Sequence, residues 1–353
     1  MLPFLSKSGN LVGLDIGTHS VKLVQVQTGN GKPKLVSMGV APLDRDMFSE
    51  GRVAQPEQIA GVIRQLADHL KVKQKTVAVS VSGYDVMIKK IELPTMTEEE
   101  LETKMHSELG QYIPYNVDEV DIDYQVLDVA KDRPNYMEVL LVAAKKESIA
   151  DFNSLLKMGG FDPYVVDVDF FALGNAFEAT YESGEEITAL LDIGAHKSVM
   201  NIIQKGVPIL TRSISIGGNQ ATENIKDAFN ISFPEAEKAK LGEFADRFPR
   251  AELEEVFVST VSNWVNECSR AVDFYYNNYP DKKIDRLLLC GGSSRLPELD
   301  KVFQEKMEIP VEIFNPLARL QFDSKHFDPE YIEYIGPQMA ISLGLALRKS
   351  KEK

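Results

Sequence analysis

The stretch "GLDIGTHSVKLVQVQTG" at residues 13–29 returns without a gap as "LLDIGAHKSVMNIIQKG" at residues 190–206. The offset of 177 pairs Asp15 with Asp192, Gly17 with Gly194, His19 with His196 and Gly29 with Gly206. A chain that carries one strand–turn–strand unit twice, half its length apart, is expected to build two lobes on a single plan. In the first copy the turn falls at Asp15 to Ser20. Val21, Leu23 and either Val24 or Val26 then supply the apolar positions of the outgoing strand. A length of 353 residues agrees with two lobes, because it exceeds what one core usually fills.

Between and after the repeats the pattern alternates strand and helix. From Pro56 to Leu70, apolar Ile59, Val62, Ile63, Leu66 and Leu70 recur at helical spacing, and "TVAVSVS" follows as a strand. Thr97 with Glu100 three residues on is a capping box opening a helix that Pro114 lies just beyond. Strands at Val86 to Leu93, Val120 to Val129 and Val139 to Ala144 flank it. A helix from Ser148 to Met158 then stops at Gly159 and Gly160. Residues 82–161 thus read as a small α+β unit inserted in the first lobe. Residues 217–280 read as a helical insertion in the second, before "RLLLCGGSSRLPEL" returns as strand, glycine turn and helix start.

Composition removes several function classes. The net charge of -14, from 53 acidic and 39 basic residues, leaves no electrostatic surface for nucleic acid. Cys268 and Cys290 match no metal or redox spacing, and as isolated thiols without a base nearby in sequence they read as structural. No apolar run reaches the roughly 18 residues of a spanning helix. The start "MLPFLSKSGN" lacks a signal-peptide core. A cytoplasmic protein with no direct membrane insertion is expected.

Two Asp-x-Gly turns suggest a phosphate clamp. Glycine lets backbone N–H groups approach a polyphosphate, whose charge a cation must neutralise. Mg²⁺ keeps most of its waters and touches one or two carboxylates, so Asp15 and Asp192 facing each other could orient a hydrated ion. A single Asp-x-Gly is an ordinary turn; its duplication in register raises it above that. Gly291 and Gly292 after an apolar strand allow close approach to a ring or phosphate, or make a plain strand-to-helix turn. Glu237 and Lys240, at i and i+3, read as an exposed ion pair or as a ribose contact. No GxxxxGK[ST], GxGxxG or HExxH occurs, and His19 and His196 read as turn residues.

Taken in order, these motifs resemble the actin-like ATPase superfamily across nearly the whole chain. "GLDIGTHSVKLVQ" is similar to its first phosphate loop, "LLDIGAHKSVMNI" to its second and "LLLCGGSSRLPEL" to its adenosine motif. "VVDVDFFALGNAF" and "GPQMAISLGLALR" stand where its two connecting helices belong. The implied fold class is α/β: two lobes, each a mixed sheet with helices, and an FtsA-like subdomain 1C in the first. The implied division is 1–81, 162–184 and 331–353 as subdomain 1A; 82–161 as 1C; 185–218 and 284–330 as 2A; and 219–283 as 2B.

Within the superfamily, "VGLDIGTHSVKLVQ", "KKIELPTMTEEELETKMHSELGQYIPY", "DVDFFALGNAF" and "RSISIGGNQATENI" resemble the PilM family of type IV pilus assembly proteins. The resemblance implies an ATP-binding scaffold, peripheral to the inner membrane, that takes the short cytoplasmic N-terminal tail of a PilN-like protein in a groove between 1A and 1C. Pilus motor ATPases and self-association are further implied contacts. It assigns ATP and Mg²⁺ as cofactors, with Asp15 and Asp192 on the metal through water. Gly17, Thr18, Ser20 and Lys22, and Gly194, His196 and Ser198 of the second loop, fall to phosphate, and Gly217 and Gly218 to the bound nucleotide. Glu237 and Lys240 fall to ribose, and Gly291, Gly292, Ser293 and Arg295 to the adenosine end. Asp169 would orient water, but it is followed by Phe170 where a Glu-Pro pair is common, so weak or absent ATPase activity is implied. A small-molecule kinase and an FtsA-like filament protein are the rival readings on this fold.

Overall fold

The computed structural model describes residues 11–29, 32–49, 51–129, 133, 135–181, 184–242 and 247–349. The extreme N-terminus, read above against a signal peptide, lies outside them, as do residues 350–353. The first lobe opens with β1 (Val12–Ile16), β2 (Ser20–Gln27) and β3 (Lys34–Pro42). A short hairpin follows, β4 (Phe48–Ser49) and β5 (Arg52–Val53), then α1 (Pro56–His69) and β6 (Thr76–Val81). The inserted unit supplies β7 (Val86–Pro94), α2 (Glu98–Glu108), β8 (Val120–Val129) and β9 (Tyr136–Lys145). The chain returns through α3 (Lys146–Met158), β10 (Asp162–Val168) and α4 (Asp169–Thr180).

The second lobe repeats the opening as β11 (Ile187–Ile193), β12 (Ser198–Gln204) and β13 (Val207–Ile214). Helices α5 (Gly218–Phe229), α6 (Phe233–Lys240) and the long α7 (Arg250–Asn278) lead to β14 (Arg286–Cys290). Then come α8 (Leu299–Met307), β15 (Val311–Ile313), α9 (Pro329–Ile335) and α10 (Ala340–Ala346).

The two large sheets have the same topology. One runs β10-β6-β1-β2-β3 and the other β13-β12-β11-β14-β15. In both, three antiparallel strands are extended by two parallel ones. The repeat holds to the residue: Asp15 sits opposite Lys22 and Asp192 opposite Val199, each shifted by 177. Each turn closes through one bond of 3.1 Å, Gly17 N–H to the Ser20 carbonyl and Gly194 N–H to the Lys197 carbonyl.

Period-two alternation divides β2 between two cores. Val21 and Leu23 face a cluster with α1 and α3, while both Val24 and Val26 face the other side, so the sequence alternative between those two valines dissolves. That other side is a core shared by the lobes. In it Leu173 and Phe177 of α4 and Leu343 of α10 pack between Val24 of the first sheet and Leu190 and Leu288 of the second. The lobes are therefore joined at their base and separated above it.

The inserted unit is a three-stranded sheet, order β7-β9-β8, with its own core of Ile91, Leu93, Leu101, Met105 and Leu141. Its helix α2 begins with the reciprocal Thr97–Glu100 capping box. Helix α3 packs elsewhere: Leu155 and Leu156 enter the first lobe's core beside Ile59 and Ile63.

Candidate functional site

A cavity of about 550 Å³ opens between the lobes above the shared core. The two hairpin turns face it from opposite sides, because each ends a central strand of its sheet at the same level. Asp15, Gly17, Thr18, Ser20 and Lys22 line it from the first lobe, and Asp192, Gly194 and His196 from the second. Asp169, Glu237, Lys240, Gly291, Gly292, Ser293 and Arg295 line it too. Sequence positions spread over some 280 residues thus converge on one cleft.

Three predicted residues take other places. Ser198 is fully buried and donates to the Ile216 carbonyl at 2.9 Å, so its hydroxyl fastens β12 and does not line the cleft. Gly217 and Gly218 stand behind the lining: a Cβ on Gly217 would meet the Ala195 carbonyl oxygen at 2.5 Å, and one on Gly218 the Ser293 Oγ at 2.4 Å. They allow the second hairpin turn, α5 and the Gly291–Gly292 turn to touch. The Gly291–Gly292 turn also differs from the expected helix start, leading into a single 3₁₀ turn, Gly292–Arg295, before α8 begins at Leu299. Gly291 takes φ +87° and faces Asp192 so closely that a Cβ would lie 2.1 Å from Oδ1.

The Glu237–Lys240 pair, for which an exposed ion pair was one reading, is enclosed. The Lys240 side chain is 7% exposed and its Nζ lies 2.7 Å from Glu237. Thr222 of α5 donates to the same carboxylate, and Lys240 donates to the Thr222 hydroxyl at 3.0 Å. Helix α6 is amphipathic toward α5, which turns the i, i+3 pair inward. Burial alone would raise the Glu237 carboxyl, but Lys240 and the bond from Thr222 bring it below its usual value. Burial lowers nearby His19 below the usual imidazole value, with Glu237 opposing and the cations Lys240, Lys22 and Arg295 adding to the fall.

The cleft floor is acidic. Lys22 lies 2.8 Å from Asp15; burial works against its charge, but Asp15, with Asp192 and Asp169 adding to it, raises the ammonium above its usual value. Asp169, at the start of α4, accepts from Ser80 Oγ at 2.6 Å and stands 3.9 Å from Lys197. Burial raises its carboxyl despite Lys197, and Asp15 adds to the rise. Asp192 makes no ion pair among the described residues. Burial pushes it up to about 7, with Lys22 opposing and Asp15 and Asp169 reinforcing. No group of three His, Cys, Asp or Glu side chains that could hold a bare ion occurs among the described residues. Two carboxylates in a floor short of positive charge fit a hydrated Mg²⁺, which needs only one or two protein oxygens.

This geometry fixes a pH dependence. Folded Asp192 holds its proton up to about 7, whereas the unfolded carboxyl releases it near 3.8. The native state binds the extra proton across that window, so stability falls as pH rises through it. Asp169, shifted the same way, adds to the slope. Denaturant titrations of nucleotide-free protein are expected to show this loss, and Asp192→Asn to reduce the slope. An identical slope in the variant would refute the assignment.

Lys197, Ser80, Ser82 and Gln338 also line the cleft and were missed as site residues in the sequence. Lys197 sits inside the second turn, where counting charges toward the cleft would have drawn attention to it. Ser80 and Ser82 lie in the predicted strand "TVAVSVS" and Gln338 in the segment similar to a connecting helix, where no charge singles them out.

Comparison with known proteins agrees with this architecture. The cell division protein FtsA of Enterococcus faecalis (strain ATCC 700802 / V583) is 23% identical over 358 residues, covering 88% of this chain and 80% of that protein. FtsA of Bacillus subtilis (strain 168) is 21% identical over 353 residues, covering 86% and 78%. A solved PilM-PilN type IV pilus biogenesis complex superposes with a TM-score of 0.86 at 27% identity, over 98% of this chain and 100% of that one. MreB5 of Spiroplasma citri bound to ADP superposes at 0.50 with 14% identity, over 92% and 98%. The fold is that of the actin-like ATPases. The family described as type IV pilus assembly protein PilM matches residues 13–350, and the chain belongs to that family.

Proposed function

We propose that the protein is a nucleotide-organised scaffold of the type IV pilus machinery, holding Mg-ATP in the interlobe cleft and the N-terminal cytoplasmic tail of a PilN-like membrane protein beside the inserted unit. The observation that carries the nucleotide part is the pair of turns in identical register, with Asp15 and Asp192 at one cleft. The turns around Gly17 and Gly194 take the phosphates, Glu237 and Lys240 the ribose, and Gly291 to Arg295 the adenosine end. Mg²⁺, when bound, neutralises phosphate charge, and Asp15 and Asp192 orient its waters. That MreB5 is an ADP complex on this fold supports the reading.

The partner groove is assigned between the first lobe and the inserted unit, and the PilM-PilN complex is the reason for choosing that partner. The subdomain division follows the sequence expectation, with the insert's boundary drawn at Asp85 and Lys145 because α3 packs in the first lobe. No described helix is long and apolar enough to cross a membrane. In this reading contact with the inner membrane goes through the partner, on its cytoplasmic face, which the solved PilM-PilN complex supports. Turnover is slow or absent: Asp169 is already engaged by Ser80 and stands beside Lys197. Titration calorimetry with Mg-ATP tests the proposal, and one site per chain is expected. No heat at any nucleotide concentration, or turnover stimulated by a small acceptor, contradicts it.

A further inference from the structure

Lys197 marks a break in the repeat. The offset of 177 sets it against Ser20, a buried hydroxyl, so the second turn carries a cation where the first carries none. Its carbonyl closes the turn as Ser20 does, but its side chain leaves the hairpin and crosses to the first lobe. There the ammonium donates to Ser82 Oγ and lies 3.9 Å from Asp169 Oδ2. It also rests on the face of Gly83, where an added Cβ would meet Nζ at 3.3 Å.

Ser82 is the root of the inserted unit. Gly83–Asp85 forms one 3₁₀ turn, and β7 begins at Val86. Gly83 takes φ +86°, a left-handed conformation that glycine adopts without strain. Asp85 is tied to the unit's far end by Lys145 and Ser148, each at 2.8 Å. The second phosphate turn is thereby pinned to the strand that enters the insert.

The other lysine of the cleft floor is differently held. Lys22 is 14% exposed and bound to Asp15 within its own hairpin. Lys197 is 35% exposed and held chiefly by a neutral hydroxyl. A phosphate oxygen is a stronger acceptor for an ammonium than a hydroxyl is, because the bond is charge-assisted on both sides. The geometry points to Lys197 as the reader of a nucleoside triphosphate's terminal phosphate: it exchanges Ser82 for that phosphate and so releases the root of the inserted unit. This rests on the nucleotide reading of the cleft and adds to it a residue that separates triphosphate from diphosphate.

The test is calorimetry with Mg-ATP and with Mg-ADP on the full chain and on Lys197→Met, Lys197→Arg and Ser82→Ala, with amide exchange of residues 83–86. Lys197→Met is expected to weaken ATP about tenfold or more and ADP less than about threefold, the scale of one charged hydrogen bond. Lys197→Arg should recover most of the ATP affinity, and Ser82→Ala, lacking the competing acceptor, should bind ATP no more weakly than the parent. In the parent, amides 83–86 should exchange faster with Mg-ATP than with Mg-ADP, and in Lys197→Met they should not differ. Equal weakening of both nucleotides, or of neither, overturns the assignment and leaves the cleft reading standing. Exchange that ignores the terminal phosphate in the parent overturns the link to the insert. A parent that binds neither nucleotide overturns the cleft reading and this inference together.

Discussion

Gly344→Leu is expected to abolish the cooperative fold or reduce its stability by about 3 kcal/mol or more, the upper range of overpacking. An added Cβ at Gly344 would lie 1.7 Å from the Ala172 carbonyl oxygen. On the other side of α10, a Cβ on Gly13 would meet the Ser342 carbonyl oxygen at 2.0 Å and the Ala346 nitrogen at 2.4 Å. The obstructing atoms are backbone, so no rotamer change relieves them. Helix α10 is wedged between α4 and β1, and the core shared by both lobes is built on that wedge. Forcing the helices apart opens the core of both lobes at once, against a total stability of roughly 5–15 kcal/mol for a typical domain. Denaturant unfolding followed by circular dichroism measures the loss. Gly61→Leu is the control, since a Cβ there meets nothing within 4 Å. If Gly344→Leu unfolds within about 1 kcal/mol of the parent, the close-packed wedge is not what joins the lobes.

The second large effect is on the ligand. Asp192→Asn is expected to lower Mg-ATP affinity about a hundredfold, the upper range for losing a charged group's hydrogen bonds, while leaving the nucleotide-free protein folded. The amide keeps the size of the carboxyl and resembles its protonated form, which burial already favours in the empty cleft. Asp15→Ala is a less clean test, because it leaves the enclosed Lys22 without the partner that holds its charge. Calorimetry at matched Mg²⁺ reads the difference. Unchanged affinity in Asp192→Asn would remove this carboxylate from the ligand's surroundings.

The repeat made the two-lobe plan legible, since a gapless offset carries strand, turn and register together, and the hairpins obey it to the residue. Local signals also held where they are local: the Thr97 capping box and the strands at Val120 to Val129 and Val139 to Ala144 need no tertiary context. Tertiary choices were less visible. An i, i+3 Glu–Lys pair looks the same facing water or a cleft, and only the packing of α5 on α6 through Thr222 turns it inward. The stripe of α3 announces an apolar face but not which core receives it, and Leu155 and Leu156 choose the first lobe. Ser198 stands in a segment that resembles a phosphate loop, yet strand pleating directs it to Ile216. Lys197 was hidden because its meaning lies in Ser82, 115 positions away.

A nucleotide-holding body that captures a membrane protein's tail beside an inserted unit must lose that tail when the unit is removed. Its two ends meet where Lys145 and Ser148 hold Asp85, so residues 86–144 can be replaced by a short linker while α3 stays in place. Fluorescence anisotropy of a labelled PilN-type N-terminal peptide is then measured on both proteins, with Mg-ATP calorimetry confirming that the cleft remains formed. Saturable peptide binding by the full chain and its loss in the shortened one are expected. A shortened protein that binds Mg-ATP and still holds the peptide at the parent's affinity would contradict this.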